Sequence, residues 1–386
     1  MIFPFFRVAL ACVALATAAP ALAQNASIHS RSGMGVERFT FGQLSGWQQD
    51  NHGAALGAFQ RSCTKLMALA PDTTVGTDLL AGKASIWHKV CEDAQAISAS
   101  DALGARSFFE RQFVPFAVGI NGSRSGKFTG YYEPLLKGSR TKQAGYGEPV
   151  YGKPADLPAG GGVYPLTRSE IDGGALAGRG LERIWVDDPI DLFFLHVQGS
   201  GQVLLDTGER VALRFEGKNN QPYTAIGKVL VQRGALKQEE VSAPSIRKWL
   251  KDNPQDARKI MHENHSFVFF SLTPAVDEGP VGAQNVPLTP ERSLAVDTAY
   301  IPLGMPLYLT TRLPVSKHAS GEVYNRLMVA QDKGSAILGA VRGDVFFGPG
   351  ERAEDLAGHM NSEGGFFALV PRAIADSLSS SRVKTY

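Results

Sequence analysis

Two aspartates near the end of the chain stand where a carboxylate could do proton-transfer chemistry. The stretch 327–348 reads LMVAQDKGSAILGAVRGDVFFG. Its apolar run 327–330 delivers Asp332 into a Lys-Gly-Ser turn, and Arg342-Gly343 sets Asp344 directly before Val345, Phe346 and Phe347. A carboxylate fixed at the end of a short apolar run is costly to bury unless something pairs or uses it. Glycine on either side lets the backbone turn sharply and other groups come close. Either aspartate alone is explained as a turn residue. The two together, with Asp297 upstream, read as a site.

The elements that must hold these carboxylates are mainly short strands. From 113 to 206 the chain is rich in Gly, Pro and aromatics, with apolar runs at 114–118, 184–186, 192–197 and 203–205 between turn clusters such as Asn121-Gly122 and Asp187-Asp188-Pro189. Further strands are expected at 267–270, 293–296, 307–309, 327–330, 345–347 and 366–370. Short strands with frequent turns read as a barrel or sandwich. Helical patterns occupy 223–233, 243–250 and 255–263. The opening is helical too: Leu56, Phe59, Cys63 and Leu66 recur at spacings of three and four within 51–69, a second pattern covers 78–97, and Ser100-Asp101 caps a third helix through Phe108 and Phe109.

Composition narrows the setting. Of 386 residues, 44% are hydrophobic and 20% charged, and 39 basic against 37 acidic side chains leave a net charge of +2. Such a balance offers no basic stripe for a phosphate backbone, which argues against nucleic acid as a partner. Residues 1–23 read as a signal peptide, with Arg7, an apolar stretch 8–19 and a small-residue cleavage site at Ala21-Leu22-Ala23. Export to the periplasm is expected, with outer-membrane association left open. A lipid anchor at Cys12 fits less well, because the apolar run before it is short. That leaves Cys63 and Cys91, which an oxidising compartment would join in a disulfide.

Several familiar motifs fail on inspection. Leu204-Leu205-Asp206-Thr207-Gly208 matches one lobe of an aspartic protease, but that chemistry needs a second such aspartate. Asp206-Thr207-Gly208-Glu209 is better read as a hairpin turn. Gln198-Gly199-Ser200-Gly201-Gln202 puts glycines next to the serine rather than two away, unlike a nucleophile elbow. His262-Glu263-Asn264-His265 is one residue short of the zinc-protease helix motif, so neither metal nor cofactor is expected. An exported, near-neutral, strand-rich chain with glycine-flanked carboxylates is suited to carbohydrate, and paired carboxylates are the usual tools of glycosidic cleavage.

The sequence also resembles a known family. Phe128-Thr129-Gly130-Tyr131-Tyr132-Glu133-Pro134, Leu195-His196-Val197-Gln198-Gly199-Ser200-Gly201, Gly217-Lys218-Asn219 with 222–227, and 266–270 are similar to its successive motifs. Ala295-Val296-Asp297, Ile301-Pro302-Leu303-Gly304, Gln331-Asp332 and Gly343-Asp344 resemble its 3D domain, named for three aspartates. The family is that of the membrane-bound lytic murein transglycosylase A (MltA) type, and the match runs from about 113 to 371 in the right order. The stretch 332–339 departs from its pattern, lacking the usual Gly-Gly and the lysine before the last glycine.

That resemblance implies a double-psi β-barrel formed by 24–128 and 271–386, with a second β-barrel-like substrate domain inserted at 129–270. It implies a monomer acting on peptidoglycan glycan strands. The bond cleaved would be the β-1,4 link between N-acetylmuramic acid and N-acetylglucosamine, leaving a 1,6-anhydro ring. Asp344 would serve as acid and then base, and Asp332 would raise its pKa or stabilise the transition state. Asp297 would be structural. Tyr132, Glu133, Gln198, Ser200, Lys218, Asn219 and Tyr223 would line the sugar groove. A hydrolase on the same barrel, or a glycan-binding protein without catalysis, is the alternative.

Overall fold

The structure is a computed structural model that describes residues 27–29, 33–275 and 279–380. The expected signal segment, 1–23, lies outside the described residues. Strands β1 (Ser27–His29) and β2 (Met34–Arg38) pair antiparallel and lead to helix α1 (His52–Leu66). Asn51 caps α1 by accepting from the Ala54 N–H at 3.1 Å, and Leu56, Phe59, Cys63 and Leu66 form its buried face. The second helix is shorter than its pattern. Gly76 turns in the left-handed region (φ 85°) and Gly82 packs against Ile374 with no room for a Cβ, so the chain makes the small pair β3 (Thr74–Val75) and β4 (Gly82–Lys83) before α2 (Ala84–Gln95). Helix α3 (Ala102–Gln112) starts where Asp101 accepts the Gly104 N–H at 2.8 Å. A disulfide joins Cys63 of α1 to Cys91 of α2, both fully buried.

Strands β5 (Phe113–Ile120) and β6 (Gly126–Glu133) follow. After Pro134 the chain builds a second unit. Its elements are β7 (Leu135–Ser139), β8 (Glu148–Tyr151), the single turn α4 (Arg168–Glu170), β9 (Glu182–Val186), α5 (Pro189–Gln198), β10 (Gly201–Leu205), β11 (Arg210–Lys218), α6 (Ile226–Gln232), α7 (Ala243–Asp252), α8 (Pro254–His262) and β12 (Val268–Pro274). The residues 192–197, expected as a strand, are helical. Asp188 accepts from the N–H groups of Ile190 and Asp191, Pro189 occupies the first turn, and Gly199 closes the helix at φ 82°. A start-and-stop pair of this kind outweighs the strand character of a short apolar run. Helix α6 begins at Ile226, so Tyr223 lies in the loop before it. The Asp206-Thr207-Gly208-Glu209 turn does connect an antiparallel hairpin, β10 with β11.

The six strands of this unit run in the order β12-β11-β10-β7-β9-β8. Its two edges lie in contact, but no ladder closes them among the described residues.

The chain then returns to the first unit with β13 (Ser293–Val296), β14 (Pro306–Arg312), β15 (Val323–Asp332), β16 (Arg342–Pro349), α9 (Glu351–His359), β17 (Asn361–Pro371) and α10 (Arg372–Ser380). Neither of these two helices is anticipated by the sequence reading. Among the described residues nine strands pair in the order β1-β2-β5-β17-β14-β15-β13-β16-β6, and β17 also pairs with β6. The last six therefore close into a ring, which leaves no free edge. Strand β6 belongs to this ring through Glu133, and β12 to the other sheet through Pro274. The crossings thus fall a few residues beyond the expected joints at 129 and 270.

One continuous core joins the ring to helices α1–α3. A buried ion pair locks them. Arg292 donates to both carboxylate oxygens of Asp50 at 2.9 and 3.0 Å, with side chains 4% and 2% exposed. Asp50 also accepts the Leu327 N–H, and Arg292 donates to the Leu327 carbonyl, so further hydrogen bonds support both partners, as a buried charge pair requires.

Candidate functional site

Strand β13 lies between β15 and β16, and its Ala295 is in register with Asp332 on one side and Asp344 on the other. The next strand, β6, sets Thr129 opposite Asp344. The row Asp332, Ala295, Asp344, Thr129 therefore crosses four neighbouring strands. With strands about 4.8 Å apart, the two aspartate backbones sit roughly 10 Å from one another. Between Leu294 and Ala295 the β13–β15 pairing slips by one residue. That bulge turns Gln331 into the core, where it is fully buried, and re-aims Asp332. Bulges beside active sites commonly have this use.

Helix α1 holds the bulge. The Gln331 carboxamide donates to the Ala58 carbonyl and to the Ser62 hydroxyl, each at 2.9 Å, and accepts from Ser293 at 2.5 Å.

Beneath the row, Tyr131, Leu288, Ala295 and Phe346 form a small apolar cluster. This floor desolvates both carboxyl groups. Burial pushes Asp344 above the ordinary carboxylate range; a hydrogen bond from Thr129 and the Arg342 charge oppose it, and the Asp332 charge adds to the rise. Burial pushes Asp332 up as well, but three donors oppose the shift: the N–H groups of Ala283 and Lys333 on Oδ1 and the Tyr131 hydroxyl on Oδ2, all at 2.9 Å. Among the described residues Asp344 receives only the Thr129 hydroxyl, on Oδ1 at 2.5 Å. The Thr129 oxygen is itself a target of the Arg342 guanidinium at 2.8 Å. Two carboxyl groups with environments this unequal are fitted to different protonation states.

The other expected site residues separate into two groups. Tyr223, 46% exposed, reaches the site from the second unit. It lies within electrostatic range of Asp344 and of Arg168, with burial the first cause of its raised pKa. Lys218 is half-buried at the end of β11, and Ser200 half-buried at the turn before β10.

Asn219, by contrast, is fully buried. It donates to the carbonyls of Leu166 and His265 and accepts from Gln221 and Phe267. No hydrogen-bonding capacity is left for a sugar. Gln198 accepts the Tyr132 N–H at 3.0 Å and so braces β6. Tyr132 is buried, donating to Glu354 and accepting from Arg247. Glu133 is buried against Gln202, and burial raises its pKa. Asn219, Tyr132 and Glu133 are thus buried within the framework, and Gln198, half-buried, has its amide oxygen engaged there. Asp297 accepts from the Ala299 and Gly339 N–H groups at 3.0 and 2.7 Å, which ties two loops together.

Thr129, Tyr131 and Arg342 are the site residues the sequence reading passed over. Period-2 alternation would have found the first two, since Phe128, Gly130 and Tyr132 face the core and Thr129 and Tyr131 the other side. Gly130 has no alternative: a Cβ there would come within 2.5 Å of Phe347 and 2.9 Å of Ala357 on α9.

Comparison with known proteins bears on this arrangement. Residues 127–271 match the family model described as the MltA specific insert domain, and 292–370 match the 3D domain. A solved structure of a membrane-bound lytic murein transglycosylase from Agrobacterium tumefaciens is 33% identical, with a TM-score of 0.78, and the match covers 89% of this chain and 99% of that one. The chain belongs to the MltA family. E. coli MltA with bound chitohexaose is a further neighbour of the family, at 29% identity and a TM-score of 0.64 over 82% of this chain and 90% of that one. The curated membrane-bound lytic murein transglycosylase A of Vibrio cholerae is 37% identical over 248 residues, 63% of this chain. That match spans 64% of the Vibrio protein's length.

Proposed function

We propose that this chain is a peptidoglycan lytic transglycosylase, with Asp344 as its acid and base. The observation that carries the reading is the inequality of the two carboxyl groups that flank Ala295. Asp344 is the one kept protonated, by the apolar floor and by the neighbouring Asp332 charge. With Arg342 occupying the Thr129 oxygen, the Thr129 hydroxyl proton points to Oδ1 of Asp344, which leaves the acid proton on Oδ2.

A muramic residue of the glycan strand lies against Oδ2 in this reading. The Asp344 proton passes to the glycosidic oxygen as the bond from that oxygen to C1 breaks. The carboxylate left behind takes the proton of the muramic C6 hydroxyl as O6 bonds to C1, closing the 1,6-anhydro ring and restoring the acid. No water is consumed. Asp332, ionised with three donors on its oxygens, faces the oxocarbenium-like charge that develops at C1. Tyr223 supplies the opposite wall of the groove, from the inserted unit. The chitohexaose held by the E. coli relative supports a sugar chain as the ligand.

The ring of six strands, with parallel pairs β13–β15 and β6–β16 among antiparallel ones, is read as a double-psi β-barrel. We place the protein in the cell envelope, as the names of its relatives imply.

Mass spectrometry of products released from purified peptidoglycan tests the reading. Anhydromuramic ends are expected. Reducing ends would make the protein a hydrolase, and intact strands would leave it a binder.

A further inference from the structure

On the face of β6 and β16 that carries Thr129 and Asp344, the preceding residues are Lys127 and Arg342, and these two are direct register partners. Like charges set opposite one another on adjacent strands repel. Arg342 is engaged with the Thr129 hydroxyl and with the backbone carbonyls of Gly343 and Lys127. Lys127 is exposed and ion-pairs with none of the described carboxylates. Glu363 of β17 is its register partner on the other side, but that carboxylate accepts the Ser125 hydroxyl at 2.5 Å.

From the inserted unit, Lys228 on α6 comes within electrostatic reach of Lys127. It too is exposed and without a carboxylate partner among the described residues. Burial, then Arg342, then Lys228 push the Lys127 pKa down. Cations from both walls thus converge, faced by Glu363 beside Lys127 and by Asp344 beside Arg342, while neither lysine forms an ion pair with a described carboxylate. A pair of this kind is relieved by an anion that enters the groove.

We infer that Lys127 and Lys228 bind a carboxylate of the peptide carried by the muramic residue next to the scissile bond. This rests on the transglycosylase reading above. On a peptide-bearing strand the muramic lactyl carboxyl is tied up in an amide and the sugars are uncharged, whereas the peptide bears free carboxylates. Two ammonium groups gain nothing from the sugars of such a strand and much from the carboxylates of its peptides. Because one lysine stands on each side, the carboxylate also bridges ring and insert.

The test compares kcat/KM on soluble glycan strands whose peptides keep their free carboxylates with kcat/KM on the same strands after carbodiimide coupling to methylamine has turned those carboxylates into amides, which leaves the lactyl amide intact. Wild-type protein should favour the strands with free peptide carboxylates, and the preference should shrink as salt screens the charges. Lys127→Gln/Lys228→Gln should lower the ratio of the two values about tenfold, chiefly through KM. Using the ratio within one preparation removes any difference in folded fraction. A wild-type ratio of one, or a ratio unchanged in the double variant, overturns the inference while leaving the transglycosylase reading in place. Failure of the wild type to release anhydro ends from either substrate overturns both.

Discussion

Asp344 and Asp332 sit in one row of the sheet, yet three donors oppose the rise of the Asp332 pKa and a single hydroxyl donates to Asp344. Burial lifts Asp344 first, and the Asp332 charge lifts it further. A group with a raised folded pKa holds its proton to higher pH, so acid catalysis persists upward until that pKa is passed and then falls. Asp332→Asn removes the neighbouring charge. The alkaline limb of the pH–rate profile should therefore move toward acid, and turnover should drop at neutral pH. An unmoved limb would mean that Asp332 does not govern the ionisation of Asp344. At this scale the sequence was most informative about the aspartates themselves, because glycine flanks and apolar runs are local signals. It said less about Asn219, Gln198, Tyr132 and Glu133. Their polar types look like sugar contacts, and only the fold reveals that they are already hydrogen-bonded inside it.

At the scale of elements, the site depends on a bulge and a tied loop. Gln331 enters the core only because α1 offers the Ala58 carbonyl and the Ser62 hydroxyl; the bulge it creates aims Asp332. Asp297 acts farther off, holding the turn at Ala299 to the loop at Gly339. Asp297→Asn weakens two charge-assisted bonds and should cost about 1–3 kcal/mol of stability. Activity per folded molecule should stay close to wild type. Thermal melts paired with active-fraction assays check this, and a loss of turnover at unchanged melting temperature would make Asp297 part of the chemistry. Most of the strands were legible because their apolar runs are short and bounded by turns. Helix α5 was misread because its apolar residues carry no clear period, although Asp188-Pro189 and Gly199 mark its ends. Helices α9 and α10 are only nine residues each and lie directly against strands β16 and β17, so no long helical period marks them in the sequence.

At the scale of the whole molecule, two sheets meet through β6, which is part of the ring and leads straight into the insert. Helices α1 and α2 brace the ring from behind, and the Cys63–Cys91 disulfide staples them across a sequence separation of 28. Opening that link should lower stability by about 3–4 kcal/mol by the chain-entropy model. Melting temperatures with and without reductant, or for Cys63→Ala/Cys91→Ala, would show it; an unchanged melt would deny the staple any part in stability. The two-unit organisation was legible from the change of texture along the chain and from the ordered family motifs. Closure of the ring was not, since the pairing of β17 with β6 joins residues far apart in sequence.

Asp344→Asn is the direct test of Asp344 as the group that moves the proton. The neutral amide resembles the protonated acid in size and charge but has no acid proton to give. Formation of anhydro ends should fall by at least about 10²–10⁴, while binding of chitohexaose, measured by calorimetry on the same sample, should stay near wild type. Near-normal turnover in Asp344→Asn with binding intact would contradict the assignment.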